Sequence, residues 1–260
     1  MNKIKAKISE AWRTTTASKR RLPSRFIIGV EKGGTTSLYN YLIQHPDVTP
    51  SQKKEIFYYC LWYDRGESFY RKHFTTDEDR HCIDSTPNYI YHPEAPKRLA
   101  QDTPYAKIVV LLRNPIDRAY SGYQMNRRRG IEPMDTFEKA VEYELEKTRG
   151  VDDLPYDKDY HNRYYLRRSK YQHQLENWLA YFPREQFYFQ QSELLYQEPE
   201  SIVSEVCEFF NLSDYIPSDT KAYNTGSYKE IDDNTRAQLS SIFSQEKESI
   251  CRLTNLNLDW

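Results

Sequence analysis

The sequence predicts one α/β domain with a central, mostly parallel sheet flanked by helices. Two apolar runs, at residues 26–30 and 106–112, have the nearly continuous hydrophobicity of strands that are buried on both faces. Apolar residues at helical spacing, such as Ile202, Val203 and Val206, mark helices between and after such runs. This alternation, without an internal repeat or a long linker, is typical of a single α/β domain.

The remaining elements follow from the same patterns. Thr35, Thr36 and Ser37 are candidate helix starters after the first strand, because hydroxyl side chains cap helix N-termini. Short strands are expected at residues 48–49 and 82–84, and a third clear strand at residues 186–190. Further helices are expected near residues 69–74, 93–100, 116 onward, 136–147, 166–182, 202–210 and 239–243, with loops at 150–162 and 223–228.

Length and charge exclude several classes of protein. The 260 residues can bury a sizeable core, and a net charge of −1 argues against a general polyanion binder, so no nucleic-acid partner is expected. No apolar run approaches the roughly 18 residues of a membrane-spanning helix. The basic start lacks the apolar segment of a secretory signal. We expect a flexible arm at residues 1–23 and a folded domain at residues 24–260.

Cysteine and histidine spacing indicates neither disulfides nor a metal. The four cysteines are widely separated, with no Cys-x-x-Cys pair, which favours reduced thiols in a cytoplasmic protein. The six histidines have no metal-ligand spacing. We therefore expect no metal site and a cytoplasmic location.

A glycine turn follows the first strand. Lys32 precedes Gly33 and Gly34, and the next helix is expected to start within residues 35–37. Strand, glycine turn and helix N-terminus together form an anion site, because free N–H groups and the helix dipole favour negative charge. The lysine stands before the glycines, so this is not a Walker A motif. The alternative is an ordinary turn with an exposed lysine.

Arg113 and Ser121 form a second candidate site after the strand at residues 106–112. An arginine fork suits a phosphate, and a serine two helical turns later can add a hydroxyl. Ligands bind at the carboxyl ends of parallel strands, so Lys32 and Arg113 should share one rim of the sheet. The alternative is a structural arginine at the sheet edge with a neutral helix serine.

These two segments, in this order, resemble motifs of sulfotransferases that use 3′-phosphoadenosine 5′-phosphosulfate (PAPS). The glycine turn resembles the 5′-phosphosulfate loop in the Lys-Gly-Gly-Thr form of the heparan-sulfate and bacterial carbohydrate branch. The segment from Leu111 through Ser121 resembles the 3′-phosphate motif of that family. The likeness continues at residues 84–89, 192–195, 224–228 and 258–260, so it leaves only the N-terminal arm outside.

The resemblance implies a P-loop-like fold, PAPS as co-substrate and no metal. Lys32 would neutralise charge on the leaving phosphate, and Arg113 and Ser121 would hold the 3′-phosphate. Backbone N–H groups of the glycine turn would hold the 5′-phosphate. The residues that the resemblance assigns to the nucleotide are Lys32, Gly33, Gly34, Thr35, Thr36, Ser37, Arg113, Ser121, Gly226, Ser227 and Tyr228.

Glu55 is the candidate general base by resemblance to the Glu-x-His-Phe-Phe segment of the heparan-sulfate 3-O-sulfotransferases. This chain has Phe57 in place of the histidine, and Ser85 where that branch often has a lysine, so the acceptor can differ. The alternative for Glu55 is a salt bridge with Lys53 or Lys54. Should Glu55 not be the base, the next histidines to test are His161 and His92. Two interpretations of the basic run at residues 127–129 are a site for an anionic acceptor or the nucleotide and a solvated helix end, of which the helix end is favoured.

The sequence thus predicts transfer of a sulfuryl group from PAPS to a hydroxyl of a carbohydrate or glycosylated small molecule. One alternative is a P-loop-type kinase. Against it stand the position of Lys32 and the presence of Arg113 where an acidic Walker B residue would follow the strand. The other alternative is a non-catalytic nucleotide- or glycan-binding protein. Specificity for the acceptor is expected in the loops at residues 53–70 and 150–162.

Overall fold

The sheet has four parallel strands. The computed structural model describes residues 10–76, 80–150, 156, 162–223, 226 and 229–260. Its strands are Arg25–Gly29 (β1), Ile83–Ser85 (β2), Lys107–Leu112 (β3) and Phe187–Gln191 (β4), in the order β2-β1-β3-β4. Every pairing between these strands is parallel, with Ile27 opposite both Ser85 and Val109. The predicted α/β domain with a parallel sheet is confirmed.

Nine labelled helices lie between the strands and after β4 in the described part of the chain. They are Thr35–Leu42 (α1), Glu67–Arg71 (α2), Ala95–Asp102 (α3), Pro115–Arg128 (α4), Phe137–Thr148 (α5), Tyr171–Leu179 (α6), Ser192–Gln197 (α7), Pro199–Phe209 (α8) and Asp233–Thr254 (α9). A π-helical turn spans Tyr58–Trp62. No helix of this part is both long and apolar enough to span a membrane.

The core lies on both faces of the sheet. Phe26 and Ile108 project to one face and pack in a cluster that includes Trp178 of α6. Ile27 and Val109 project to the other face and pack against α1 and α8. Because successive strand residues alternate between two buried faces, both sets must be apolar, which explains the continuous apolar runs.

The expected single helix over residues 166–182 is wrong. The chain instead forms a 3₁₀ turn at Arg167–Ser169, and α6 begins only after Lys170, whose φ of −81° and ψ of 90° interrupt the helix. Ser169 Oγ donates to the Tyr165 carbonyl and accepts from Arg118 Nε of α4. Contacts to another element therefore override the helical periodicity.

Other differences from the sequence-based expectations are local. The short strand expected at residues 48–49 is a single bridge between Val48 and His81. Helix α7 was not expected, because its six residues are too few to show a period. Most of the loop expected at residues 150–162 lies outside the described residues.

The described part of the N-terminal arm packs beside α2. Residues 10–15 are helical. Arg13 Nε donates to the Lys72 carbonyl at 2.7 Å, and Arg20 Nη1 donates to the Phe74 carbonyl at 2.7 Å. The division into an arm at residues 1–23 and a domain at residues 24–260 stays a prediction.

Candidate active site

A cavity of about 980 Å³ opens at the carboxyl ends of the strands. Pro87 follows β2, Lys32 follows β1, Arg113 follows β3 and Glu193 follows β4, and all four line this cavity. Arg113 Nη1 donates to the Lys32 carbonyl at 2.9 Å. Lys32 and Arg113 therefore share one rim, as the strand-end argument predicted.

The cavity collects most of the residues that the sequence nominated. Glu55 lies at its wall, although it is far from the glycine turn in the sequence. Ser227 and Tyr228 lie outside the described residues, as does His161. The nominated residues that line the cavity are Lys32, Gly34, Thr35, Thr36, Glu55, Arg113, Ser121 and Gly226.

The glycine turn is shaped for close approach of a ligand. Gly34 has a φ of +87° and precedes α1, and no described side chain caps this helix start. The first N–H groups of a helix have no intrahelical acceptor, so an anion can bind them. A Cβ on Gly34 would lie 3.0 Å from the hydroxyl of Tyr196, so a side chain here would crowd the cavity wall.

Gly33 also holds the turn together. Its amide donates to the Val30 carbonyl at 2.9 Å within the turn, and its contact to a phosphate stays a prediction. A Cβ on Gly33 would lie 2.8 Å from the Leu111 carbonyl oxygen. Glycine is required here because the turn packs directly on the backbone of β3.

Ser37 acts through its hydroxyl inside the protein. The side chain is fully buried, and its Oγ accepts a hydrogen bond from the amide of Tyr223 at 3.0 Å. Tyr223 and Gly226 line the cavity. Ser37 therefore fixes the chain near residue 223 over the start of α1.

Lys32 sits in a cationic part of the cavity. Burial is the largest cause that lowers the pKa of Lys32, and the Glu31 carboxylate opposes it. Three nearby cations, Arg113, Arg128 and Arg129, lower this pKa further, because they disfavour another positive charge. Residues 127–129 are exposed, as expected for a solvated helix end. Arg128 and Arg129 also line the cavity.

Glu55 both forms an ion pair and faces the cavity. Its Oε1 lies 2.7 Å from Lys54 Nζ, as in the salt-bridge alternative. Its amide donates to the Ser85 carbonyl at 3.2 Å, which ties it to the end of β2. The ion pair leaves the carboxylate at the cavity wall. His92 is buried, does not line this cavity and has its pKa lowered to about 4 by burial.

Sequence reasoning did not assign several lining residues to the site. Ser192 and Glu193 belong to a segment that resembles the family, and they follow β4, so the strand-end argument could have placed them here. Asp117 lies in the first turn of α4 and pairs with Arg236 of α9 at 2.7 Å. The cavity also includes residues with no sequence signal, namely Met125, Tyr196, Ala222 and Tyr223.

Comparison with known proteins gives a family. The Sulfotransferase domain family matches residues 22–252. The mouse heparan sulfate glucosamine 3-O-sulfotransferase 6 is 32% identical over 209 residues, which cover 75% of this chain and 54% of that protein. The membrane-associated sulfotransferase kil1 of Dictyostelium discoideum is 26% identical, over 92% of this chain and 66% of that protein. The chain spans about half to two thirds of these relatives.

A solved structure agrees with the family match. A sulfotransferase from Alicyclobacillus acidocaldarius has a TM-score of 0.78 and 26% identity, covering 92% of this chain and 98% of that chain. The glycine turn, the rim shared by Lys32 and Arg113, and this structural match over 92% of the chain agree with one another. The chain belongs to the sulfotransferase family.

Proposed function

We propose that this protein transfers the sulfuryl group of PAPS to a hydroxyl of a carbohydrate or glycosylated small molecule. The observation that carries the proposal is the cavity at which Lys32, Arg113 and Glu55 meet. Membership of the sulfotransferase family supports the reaction class. The names of several relatives, which refer to heparan sulfate, support a carbohydrate acceptor.

The residues present fit PAPS. Gly34 has no side chain, and this keeps open a space that a Cβ would crowd. No described side chain caps the start of α1, so its first amides are available to a phosphate. Lys32, Arg113, Arg128 and Arg129 bring positive charge to the same cavity, as a ligand with two phosphate groups requires. PAPS supplies a sulfuryl group that is transferred in line, leaving adenosine 3′,5′-bisphosphate.

The protein's own groups divide the work. Glu55 takes the proton from the acceptor hydroxyl, with Lys54 orienting its carboxylate. Lys32 stabilises negative charge on the 5′-phosphate side. Burial lowers the pKa of Lys32, but a bound anion favours the positively charged form of this lysine. Arg113 and Ser121 hold the 3′-phosphate, and amides at the start of α1 hold the 5′-phosphate. Kinase activity is not favoured.

We also propose that the protein works in a reducing, cytoplasmic compartment. All four cysteines are free thiols, and Cys60, Cys82 and Cys207 are buried. Unpaired buried thiols are typical of proteins that fold where disulfides do not persist. Cell fractionation with an antibody to the chain tests this part of the proposal.

The decisive experiment combines transfer and binding. Labelled sulfate from PAPS should appear on members of a panel of glycans, glycolipids and phenols, read by mass spectrometry. Calorimetry should show adenosine 3′,5′-bisphosphate binding more tightly than AMP. Arg113→Ala should remove most of that preference, since a hydrogen bond to a charged group contributes about 1.5–3 kcal/mol. Equal affinities for the bisphosphate and AMP in the parent protein would overturn the proposal.

A further inference from the structure

Glu193 is a cavity residue to which the proposed reaction gives no task. It lies in the first turn of α7, directly after β4. Its Oε1 accepts a hydrogen bond from the amide of Asn114 at 3.2 Å. The side chain of Asn114 in turn caps α4 by accepting from the amide of Ile116 at 3.0 Å. Glu193 thus supports the turn that carries Arg113.

The second carboxyl oxygen of Glu193 is left over. Oε2 is buried and has no hydrogen-bond partner within the described part of the chain. Glu193 and Arg113 line the same cavity. A buried carboxylate oxygen without a donor is unfavourable, whereas a protonated carboxyl could donate from this oxygen to an anion.

The charges around Glu193 make its protonation sensitive to a ligand. Burial is the largest cause that raises the pKa of Glu193; the amides of Glu193 and Asn114 and the guanidinium of Arg113 oppose that rise, and Asp117 adds to it. Tyr171 of α6 also faces it, with its hydroxyl donating to the Arg113 carbonyl at 2.9 Å. Arg113 is thus the cation that favours the ionised form of Glu193, against burial and Asp117.

We propose that Glu193 positions Arg113 and couples binding of the 3′-phosphate to uptake of one proton. When a phosphate engages Arg113, the guanidinium no longer compensates the Glu193 carboxylate, and the added negative charge disfavours ionised Glu193. A proton from the buffer then binds Oε2, and it returns to the buffer when the nucleotide leaves. The inference rests on the proposed function, in which Arg113 holds the 3′-phosphate.

Proton uptake has a consequence for turnover. Ionised Glu193 opposes the bisphosphate and therefore favours its release after transfer. Affinity for the bisphosphate should fall as pH rises, because the carboxyl must bind a proton that becomes scarcer. AMP lacks the 3′-phosphate, so its binding should not draw a proton to Glu193.

The test is calorimetry of adenosine 3′,5′-bisphosphate and AMP in two buffers of different ionisation enthalpy, between about pH 5.5 and 8. The parent should take up more protons with the bisphosphate than with AMP. E193Q keeps an oxygen for the Asn114 amide but cannot titrate, so the difference should shrink to the contribution of the ligand's own phosphates. At the upper end of the pH range E193Q should bind the bisphosphate up to about tenfold more tightly, the equivalent of one pK unit.

Two further variants separate positioning from charge. E193A removes the acceptor for Asn114 as well, so it should bind the bisphosphate more weakly than E193Q. E198Q changes a nearby exposed glutamate and should match the parent in affinity and proton uptake. Should E193Q fold poorly, the comparison of the bisphosphate with AMP on the parent still decides the matter.

The possible failures are distinguishable. Equal proton uptake for parent and E193Q, with the preference for the bisphosphate intact, overturns the role of Glu193 alone. Equal proton uptake for both ligands on the parent, after correction for the phosphate groups of each ligand, has the same meaning. Absence of any preference for the bisphosphate overturns the proposed function itself.

Discussion

At the scale of single residues, the candidate site is marked by unusual backbone conformations. The backbone φ values of Lys32, Glu55 and Phe57 are 72°, 61° and 59°. Residues other than glycine rarely adopt this left-handed region. Two of these three are the candidate catalytic residues. Such conformations persist only where surrounding contacts hold them, which points to a task for the side chains.

Glu55→Gln separates proton transfer from nucleotide binding. The change keeps the shape of the side chain and removes the base. Turnover should fall by about 10²–10⁴-fold, the usual contribution of general-base catalysis, while affinity for adenosine 3′,5′-bisphosphate stays at the parental value. Steady-state rates and calorimetry measure both. Glu67→Gln, at a surface pair with Arg71, is a matched control that should change neither. Near-parental turnover in Glu55→Gln would make Glu55 a structural partner of Lys54, with His161 next to test.

Lys32→Ala should give the other combination of effects. It removes a cation from the phosphate in the ground state and in the transition state. Both turnover and affinity for the bisphosphate should therefore decrease, by rate and calorimetric measurement. An unchanged affinity would show that Lys32 acts only in the transition state, contrary to this prediction.

At the scale of elements, one buried carboxyl on α5 holds the chain where the expected helix over residues 166–182 is broken. Glu144 Oε2 accepts from the amide of Leu166 at 2.8 Å, and Oε1 accepts from the amide of Arg167 at 2.6 Å. Burial raises the pKa of Glu144 to about 7, against the opposing effect of these amides. The broken helix therefore depends on a contact between two elements.

Glu144→Gln tests this contact through the pH dependence of stability. Because the folded-state pKa lies above the unfolded value, the native protein binds more protons between about pH 4.5 and 7, so stability falls as pH rises through that window. The loss attributable to Glu144 is on the order of 3 kcal/mol. Urea unfolding at several pH values should show a flatter profile for Glu144→Gln than for the parent.

Exposed Glu142 on the same helix supplies the control. Glu142→Gln should keep the parental pH profile, because the change is at an exposed side chain and leaves the buried contact of Glu144 in place. Identical slopes for the parent and Glu144→Gln would mean that Glu144 does not titrate in this range. Hydrogen bonds lost in Glu144→Gln lower the stability equally at every pH, so they shift the curve of stability against pH without changing its slope.

At the scale of the whole molecule, the cavity joins distant parts of the chain. It is lined from the ends of all four strands, from α1 and α4, and by Ala222, Tyr223 and Gly226. A ligand that binds only the folded protein stabilises all of these together, by about 2.7 kcal/mol at a concentration one hundred times its Kd. Because we expect the bisphosphate to bind more tightly than AMP, it should raise the Tm more than AMP does at equal concentration, as measured by calorimetric scans. Equal shifts would contradict this prediction.

Sulfate transfer should persist in EDTA. The sequence has no metal-type His or Cys spacing, and no group of three or more candidate metal ligands occurs within the described ranges. Cations of the protein, Lys32 and Arg113 among them, are available to stabilise the charge that a metal stabilises in kinases. Loss of turnover with EDTA and its recovery with Mg²⁺ would support the kinase alternative.

The sequence by itself determined the sheet, the glycine turn and the rim shared by Lys32 and Arg113. These features are local: a strand buried on both faces must be apolar, and a turn against β3 must be glycine. Once the strands are parallel, their carboxyl ends meet at one edge, so two strand-end residues converge without further information.

Only the tertiary structure decided the rest of the site. It placed Glu193 against Asn114, gave the hydroxyl of Ser37 to the amide of Tyr223, and turned the amide of Gly33 into the loop. The first two contacts join residues that are far apart in the sequence, and the third depends on the exact path of the turn. Periodicity and spacing report which face of an element is buried, whereas the partner of each polar group depends on how the elements pack.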